Sequence, residues 1–355
     1  MKEIDISNIF GEKINKKELM KKIGDISQIA GIKEYVLSQG KGRGVRAIDV
    51  RTGGGLNFTI LPERGMDIAW ADYKSMPISF ISTTGVVSPA YFEEYDTNFY
   101  RSFYAGLLTT CGLTYIGAQC TDNEEKLGVH GRISNIPAEE VCACTEWIEN
   151  DLRFKIAGKI RESKVDEENI LLKREITARF GENKIILKDI VENCGYKRSP
   201  LMLLFHINIG FPLLSENSIF KTSGGIVLAG DKEAEKGLSE YNVFSEPIHN
   251  YKEQVFYHKL RAENSKKSYS LVFNKKLGFG FYVVFKNSEL PYFTQWKQLG
   301  EGTYALGMEP GTNYPESRNI VREKNELKYI EPGETREFNL EMGIINDLKE
   351  IDEEL

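Results

Sequence analysis

A chain of 355 residues with 46 Lys+Arg against 52 Asp+Glu carries a formal net charge of -6, which argues against a nucleic-acid-binding surface. No apolar run nears the roughly 20 residues of a membrane helix, and Met1-Lys2-Glu3-Ile4-Asp5 lacks the basic-then-apolar layout of a signal peptide. The expectation is a cytoplasmic protein with neither a nucleic-acid nor a membrane partner, long enough for one large domain with a sizeable core.

Along the chain, Lys16 to Ile23 reads as two helical turns with Leu19, Met20 and Ile23 inward. Leu56 to Ile60 and Met66 to Trp70 read as strands around a turn at Pro62-Glu63-Arg64-Gly65. Five cysteines, an odd number in a long chain, do not form a disulfide framework. Cys142 and Cys144 alternate on a strand, where they are expected as buried small apolar residues. Asp151 to Glu162 alternates apolar and charged residues as a half-buried strand does. Lys173 to Phe180 and Lys184 to Val191 flank Gly181-Glu182-Asn183, a hairpin signal. Leu277 to Phe285 is apolar on both sides and fits a central strand, and the acidic tail Asn346 to Leu355 could form a last helix. Many strands at short spacing with few short helices predict a mainly β protein, a large antiparallel β-sandwich. It is read as one domain over residues 1–355, with 1–25 as an N-terminal extension holding the short helix.

Three short stretches carry reactive side chains. In Leu201 to Pro212, read as a strand, period-two alternation puts Met202, Leu204, His206, Asn208 and Gly210 on one face. The other face is uniformly apolar and must be core. An isolated strand histidine is ordinarily satisfied by a neighbouring strand, so a functional His206 needs a partner facing it. Tyr304 to Glu309 offers one. Tyr304, Leu306 and Met308 share one face of a strand expected to stop at Pro310-Gly311, while Ala305, Gly307 and Glu309 share the other. Small residues beside a carboxylate are what a cleft floor requires. Tyr292 to Lys297 precedes it as a strand, and loop parity decides which residues join Glu309. An odd loop aligns Gln295 and Lys297 with it, an even loop Trp296. His130 sits between glycines in Gly128-Val129-His130-Gly131-Arg132, which lets the backbone approach a ligand closely. Arg64 and Arg132 are candidate donors to a polar ligand, whereas His249 and His258 read as structural. Walker-type, dinucleotide, His-Glu-x-x-His and Gly-x-Ser-x-Gly signatures are missing.

These motifs resemble the aldose 1-epimerase (galactose mutarotase-like) superfamily, and most closely a branch of aldose-1-epimerase-like proteins. The resemblance spans about residues 22–345. It rests on Gly24-Asp25-Ile26-Ser27-Gln28, Glu63-Arg64-Gly65-Met66-Asp67-Ile68, Gly106-Leu107-Leu108-Thr109-Thr110-Cys111-Gly112, the His130 loop, His206-Ile207-Asn208 and Gly307-Met308-Glu309-Pro310-Gly311-Thr312-Asn313. It implies the mutarotase-like supersandwich and an enzyme interconverting α and β anomers of an aldose or sugar derivative. It implies His206 as general acid, Glu309 as general base and His130 as the loop histidine that binds substrate. Asn208, Arg64, Arg132, Gln295 and Lys297 are the further candidates for sugar contact. No redox or nucleotide cofactor and no metal is expected; the partner is a small-molecule sugar, and a homodimer is a candidate assembly. The chain departs from the family where a sugar-binding arginine is usual, since Gly106 to Cys111 has none. The family's mid-fold aspartate has no secure match, Asp231 being the nearest. A carbohydrate-binding or sensing protein without turnover, or a sugar isomerase or lyase on the same scaffold, are the alternative readings.

Overall fold

The computed structural model describes residues 15–261 and 267–349. Strand patterning dominates as the alternation requires. Among the described residues an 11-stranded and an 8-stranded antiparallel sheet form the body of the fold. In the larger sheet Leu108–Cys111, Leu204–Gly210, Thr303–Gly311, Tyr292–Gly300 and Gln254–Leu260 lie side by side near one end. In the smaller sheet Lys184–Asn193 pairs with Asn169–Arg179, and Asn169–Arg179 with Asp151–Ser163. Both expected hairpin strands are thus adjacent. Phe279–Lys286 lies between Lys267–Asn274 and Thr335–Ile345, the interior position its two apolar faces imply. No helix among the described residues is long and apolar enough to cross a membrane.

The core lies between the sheets. Phe58, Phe205, Ile207, Phe293 and Met308 from the larger sheet meet Phe154, Ile176, Leu187, Phe281 and Phe285 from the smaller one, all buried. Each such side chain contributes roughly 1.5–3 kcal/mol by leaving water. One ionic feature interrupts the apolar layer. Arg174 is fully buried and donates to both carboxylate oxygens of Asp189, at 2.9 and 2.6 Å, on the neighbouring strand. Across the sandwich it donates to Asp67 Oδ1 at 2.9 Å and to the Gly65 carbonyl at 3.0 Å. Asp67 also accepts from the backbone N–H and hydroxyl of Thr110. Burial pushes Asp67 up to about 6 even with Arg174 beside it. The triad therefore stitches the sheets together directly behind the strand that flanks His206.

Several local expectations change. The first helix runs Lys16–Lys22 with a capping box from Asn15 and Glu18, and it buries Leu19 while Met20 points to solvent. Cys142 and Cys144 are exposed, because Glu139–Ile148 is the edge strand of its sheet and that face is uncovered. Asn346 to Lys349 forms bends and a turn, and the rest of the proposed tail helix lies outside the described residues. The Glu309 strand continues through Pro310 and Gly311.

Candidate active site

Register builds the site. Ile207 pairs with Met308, which sets His206 opposite Glu309. Thr109 pairs with His206 on one side, Thr294 with Glu309 on the other, and Tyr257 with Thr294 beyond. Thr109, His206, Glu309, Thr294 and Tyr257 thus form one row across five strands, on the face turned away from the core. The two side chains expected to meet do meet: His206 Nε2 lies 3.2 Å from Glu309 Oε1, both buried. The contact is off hydrogen-bond alignment, which leaves Glu309 Oε1 without a hydrogen-bond partner; His206 Nδ1 and the buried Thr294 hydroxyl lack one as well. Unpaired buried polar atoms are costly, and three in one row mark a surface built for a polar ligand.

Gly307 makes this packing possible. A methyl group there would run into the Glu309 carboxyl and the Trp296 side chain. Asn208, one step along, donates to the Gly106 and His206 carbonyls; it braces the strand beneath the cleft and does not line it. His130 arrives from its loop with φ of 59°, followed by Gly131 at 74°, where any side chain would strike the Tyr115 and Gly112 carbonyls. Its ring lies 5.9 Å from that of His206, and its Nδ1 accepts from the Gly117 N–H at 3.3 Å. Phe103 and Trp296 close the walls, 5.3 and 5.5 Å from His206 between ring centroids. Glu253 fixes Trp296 by accepting from its indole N–H at 2.8 Å. Tyr257 stacks on Tyr314, and Asp231 caps the helix Lys232–Gly237 at the cleft edge. The cleft holds about 340 Å³, within the ~300–1,000 Å³ of small-molecule sites.

Burial sets the protonation states. It raises the Glu309 carboxyl well above the usual range, with the Glu253 charge adding to the effect. It lowers His206 to about 3, with His130 contributing and Asn208 opposing, and lowers His130 to about 4. Glu309 and His206 therefore rest neutral, sharing one proton between them. Moving that proton from Glu309 to His206 leaves the pair's net charge at zero, so the low-dielectric site tolerates either arrangement.

Four expected contacts lie elsewhere. The turn between Tyr292–Gly300 and Thr303–Gly311 has two residues, Glu301 and Gly302, the latter at φ 76°. This even parity pairs Gln295 with Met308 and brings Trp296 to the cleft. Gln295 instead bonds His258 and the Tyr241 carbonyl, and Lys297 donates to the Glu240 carbonyl. Arg64 is fully buried, its guanidinium donating to the Ser134, Val87 and Ser102 carbonyls and lying over the Tyr104 ring; it holds loops together. Arg132 sits among Glu94, Glu125, Glu162 and Glu168 and points into a separate charged hollow. The cleft residues the sequence reading passed over are Phe99, Tyr100, Phe103, Glu253, Tyr257 and Thr294. A visible signal for three of them is the density of aromatics between Tyr91 and Tyr104, seven in that run.

Residues 42–344 match the family described as a domain of unknown function, DUF4432. The chain belongs to DUF4432. No curated protein matches its sequence. Among solved structures, a Klebsiella pneumoniae protein provisionally called an aldose 1-epimerase superposes with a TM-score of 0.86 at 24% identity, covering 96% of this chain and 88% of that one. A galactose mutarotase-like protein from Clostridium acetobutylicum has a TM-score of 0.61 at 15% identity, covering 90% and 100%. A galactose 1-epimerase from Lactobacillus acidophilus has a TM-score of 0.56 at 11% identity, covering 89% and 99%. This DUF4432 protein accordingly has the galactose mutarotase-like β-sandwich fold. Among the described residues no group of three or more His, Cys, Asp or Glu is arranged to hold a metal ion.

Proposed function

We propose that this DUF4432 protein interconverts the α and β anomers of an aldose or sugar derivative, with His206 and Glu309 as the proton-transfer pair. The observation that carries the reading is their 3.2 Å separation. The anomeric oxygen and the ring oxygen of a pyranose are bonded to the same carbon, so the groups serving them must sit side by side. Ring opening removes the proton from the anomeric hydroxyl, forms the C1 carbonyl, breaks the bond from C1 to the ring oxygen, and delivers a proton to that oxygen. A pair holding one proton does this with no change in its own charge: one member gives while the other takes. Rotation about C1–C2 and the reverse transfers close the ring on the other face. Burial favours the resting proton on Glu309, so Glu309 serves the ring oxygen during opening and His206 Nε2 takes the anomeric proton. This reverses the roles that the family resemblance implies for the first step; on closing, each group performs the opposite transfer. His130, whose Nδ1 accepts from Gly117, carries its proton on Nε2 and serves as a hydrogen-bond donor to the sugar.

Polarimetry of freshly dissolved α-aldoses tests the reading. The wild-type protein should speed the drift to equilibrium and Glu309→Gln should leave only the spontaneous rate, with circular dichroism unchanged. An active, folded Glu309→Gln protein would remove Glu309 from the mechanism.

A further inference from the structure

The charge of the cleft bears on which sugar it takes. Arg64, Arg132 and Lys297 are each engaged elsewhere, and among the described residues no Lys or Arg lines the cleft. Beside Glu309, the acidic side chains that line it are Asp231 and Glu253. Asp231 uses Oδ1 to cap its helix and Glu253 uses Oε2 to hold Trp296; each has a second oxygen for a ligand. The Thr294 hydroxyl, 1% exposed and without a partner, lines the same cleft and marks it as a polar binding surface. The walls include the aromatic side chains of Trp296, Tyr100, Phe103 and Tyr257, and aromatic rings attract cations placed over their faces.

We propose that the substrate is an aldose bearing an ammonium group, an amino-deoxy sugar, with Asp231 and Glu253 as its anionic partners. This rests on the sugar-site reading above and narrows it. Uronic acids and sugar phosphates meet like charge and no cationic donor in this cleft. A neutral aldose gains hydrogen bonds alone. An amino sugar gains these and also the field of two carboxylates inside a low-dielectric wall, where charge interactions are less screened than in water. The field reaches the cleft's own hydroxyls. Beyond the larger effect of burial, Glu253 adds to the upward shift of Tyr100, and Glu316 and then Asp231 add to that of Tyr257.

The test is calorimetry at pH 6 and low salt, with 2-amino-2-deoxy- and 6-amino-6-deoxyaldoses, their hydroxyl parents, and the matching uronates and 6-phosphates. NMR anomer exchange is run on the same panel. At least one amino sugar should bind about tenfold or more tightly than its parent, and the acidic sugars should not bind. The preference should shrink towards unity in 1 M salt and in Asp231→Asn and Glu253→Gln. Asn still caps the helix and Gln still accepts from Trp296, so loss of fold does not confound the ratio. Equal binding of amino sugar and parent, tighter binding of an acidic sugar, or no sugar binding at all overturns the inference. Selective binding of amino sugars with no catalysed exchange would sustain the charge inference and end the anomer-interconversion reading. Exchange of neutral aldoses with no preference for amino sugars would do the reverse.

Discussion

Replacing Glu309 with Gln should change how stability depends on pH, by an amount set by one proton. In the folded protein burial holds this carboxyl protonated well above its usual range, whereas in the unfolded chain it ionises near ~4.3. A group raised in this way contributes its stability in full below the unfolded pKa and loses it as pH climbs towards the folded one. The loss is roughly 1.4 kcal/mol per pH unit. Gln keeps the shape and cannot ionise, so the variant escapes the loss. The stability of Glu309→Gln relative to wild type should therefore rise as pH climbs from 5 towards 7, by up to roughly 1.4 kcal/mol per unit for as long as the folded carboxyl keeps its proton. The result does not depend on which member of the pair holds the proton: the folded wild type carries one proton more than the folded variant in either arrangement. Urea unfolding followed by tryptophan fluorescence at pH 5, 6 and 7 gives the difference directly. A difference that stays constant across that range would mean Glu309 ionises normally, and the shared-proton reasoning would fail.

Gly307→Ala should cost at least tenfold in kcat/KM while leaving unfolding stability within about 1–3 kcal/mol, since the added methyl displaces the Glu309 carboxyl and Trp296; wild-type kinetics would show that the carboxyl needs no such room. Arg174→Met leaves Asp67 and Asp189 buried without their cation, and urea unfolding should show a loss of about 3–5 kcal/mol; a loss below about 1 kcal/mol would mean the triad does not hold the sheets together. Because the proton pair works only while it holds one proton, kcat/KM should stay flat as pH rises through the ordinary carboxylate range. It should fall about tenfold per unit once pH exceeds the raised Glu309 value; a pH–rate profile that falls already between pH 4 and 5 would contradict the neutral carboxyl.

The fold was legible because its signals are local. The alternation in Asp151–Ser163 and the glycine-marked hairpin between Asn169–Arg179 and Lys184–Asn193 are properties of short windows. Glu309 was legible for the same reason, since Ala305 and Gly307 announce a cleared face two and four residues away. The parity of the turn at Glu301-Gly302 was not, because it depends on the exact number of residues between two strands and no short window fixes that number; the even count puts Gln295 and Lys297 on the far side and brings Trp296 in. Arg64 could not be read either. Its three carbonyl partners come from 23 to 70 residues away, and no pattern in a window announces them. Cys142 and Cys144 show the same limit: alternation places them on one face, but only sheet order makes that face an open edge.

Proton exchange at the sugar itself decides between this chemistry and its alternatives. Two-dimensional NMR exchange spectroscopy on an aldose that binds, recorded in heavy water with wild type and Glu309→Gln, reads anomer interconversion and carbon-bound hydrogen together. Wild type should give α–β cross-peaks far above the spontaneous rate, every C–H signal intact, and the variant none beyond background. Unaccelerated exchange, or deuterium entering the carbon skeleton, would contradict proton shuttling between the two oxygens on C1.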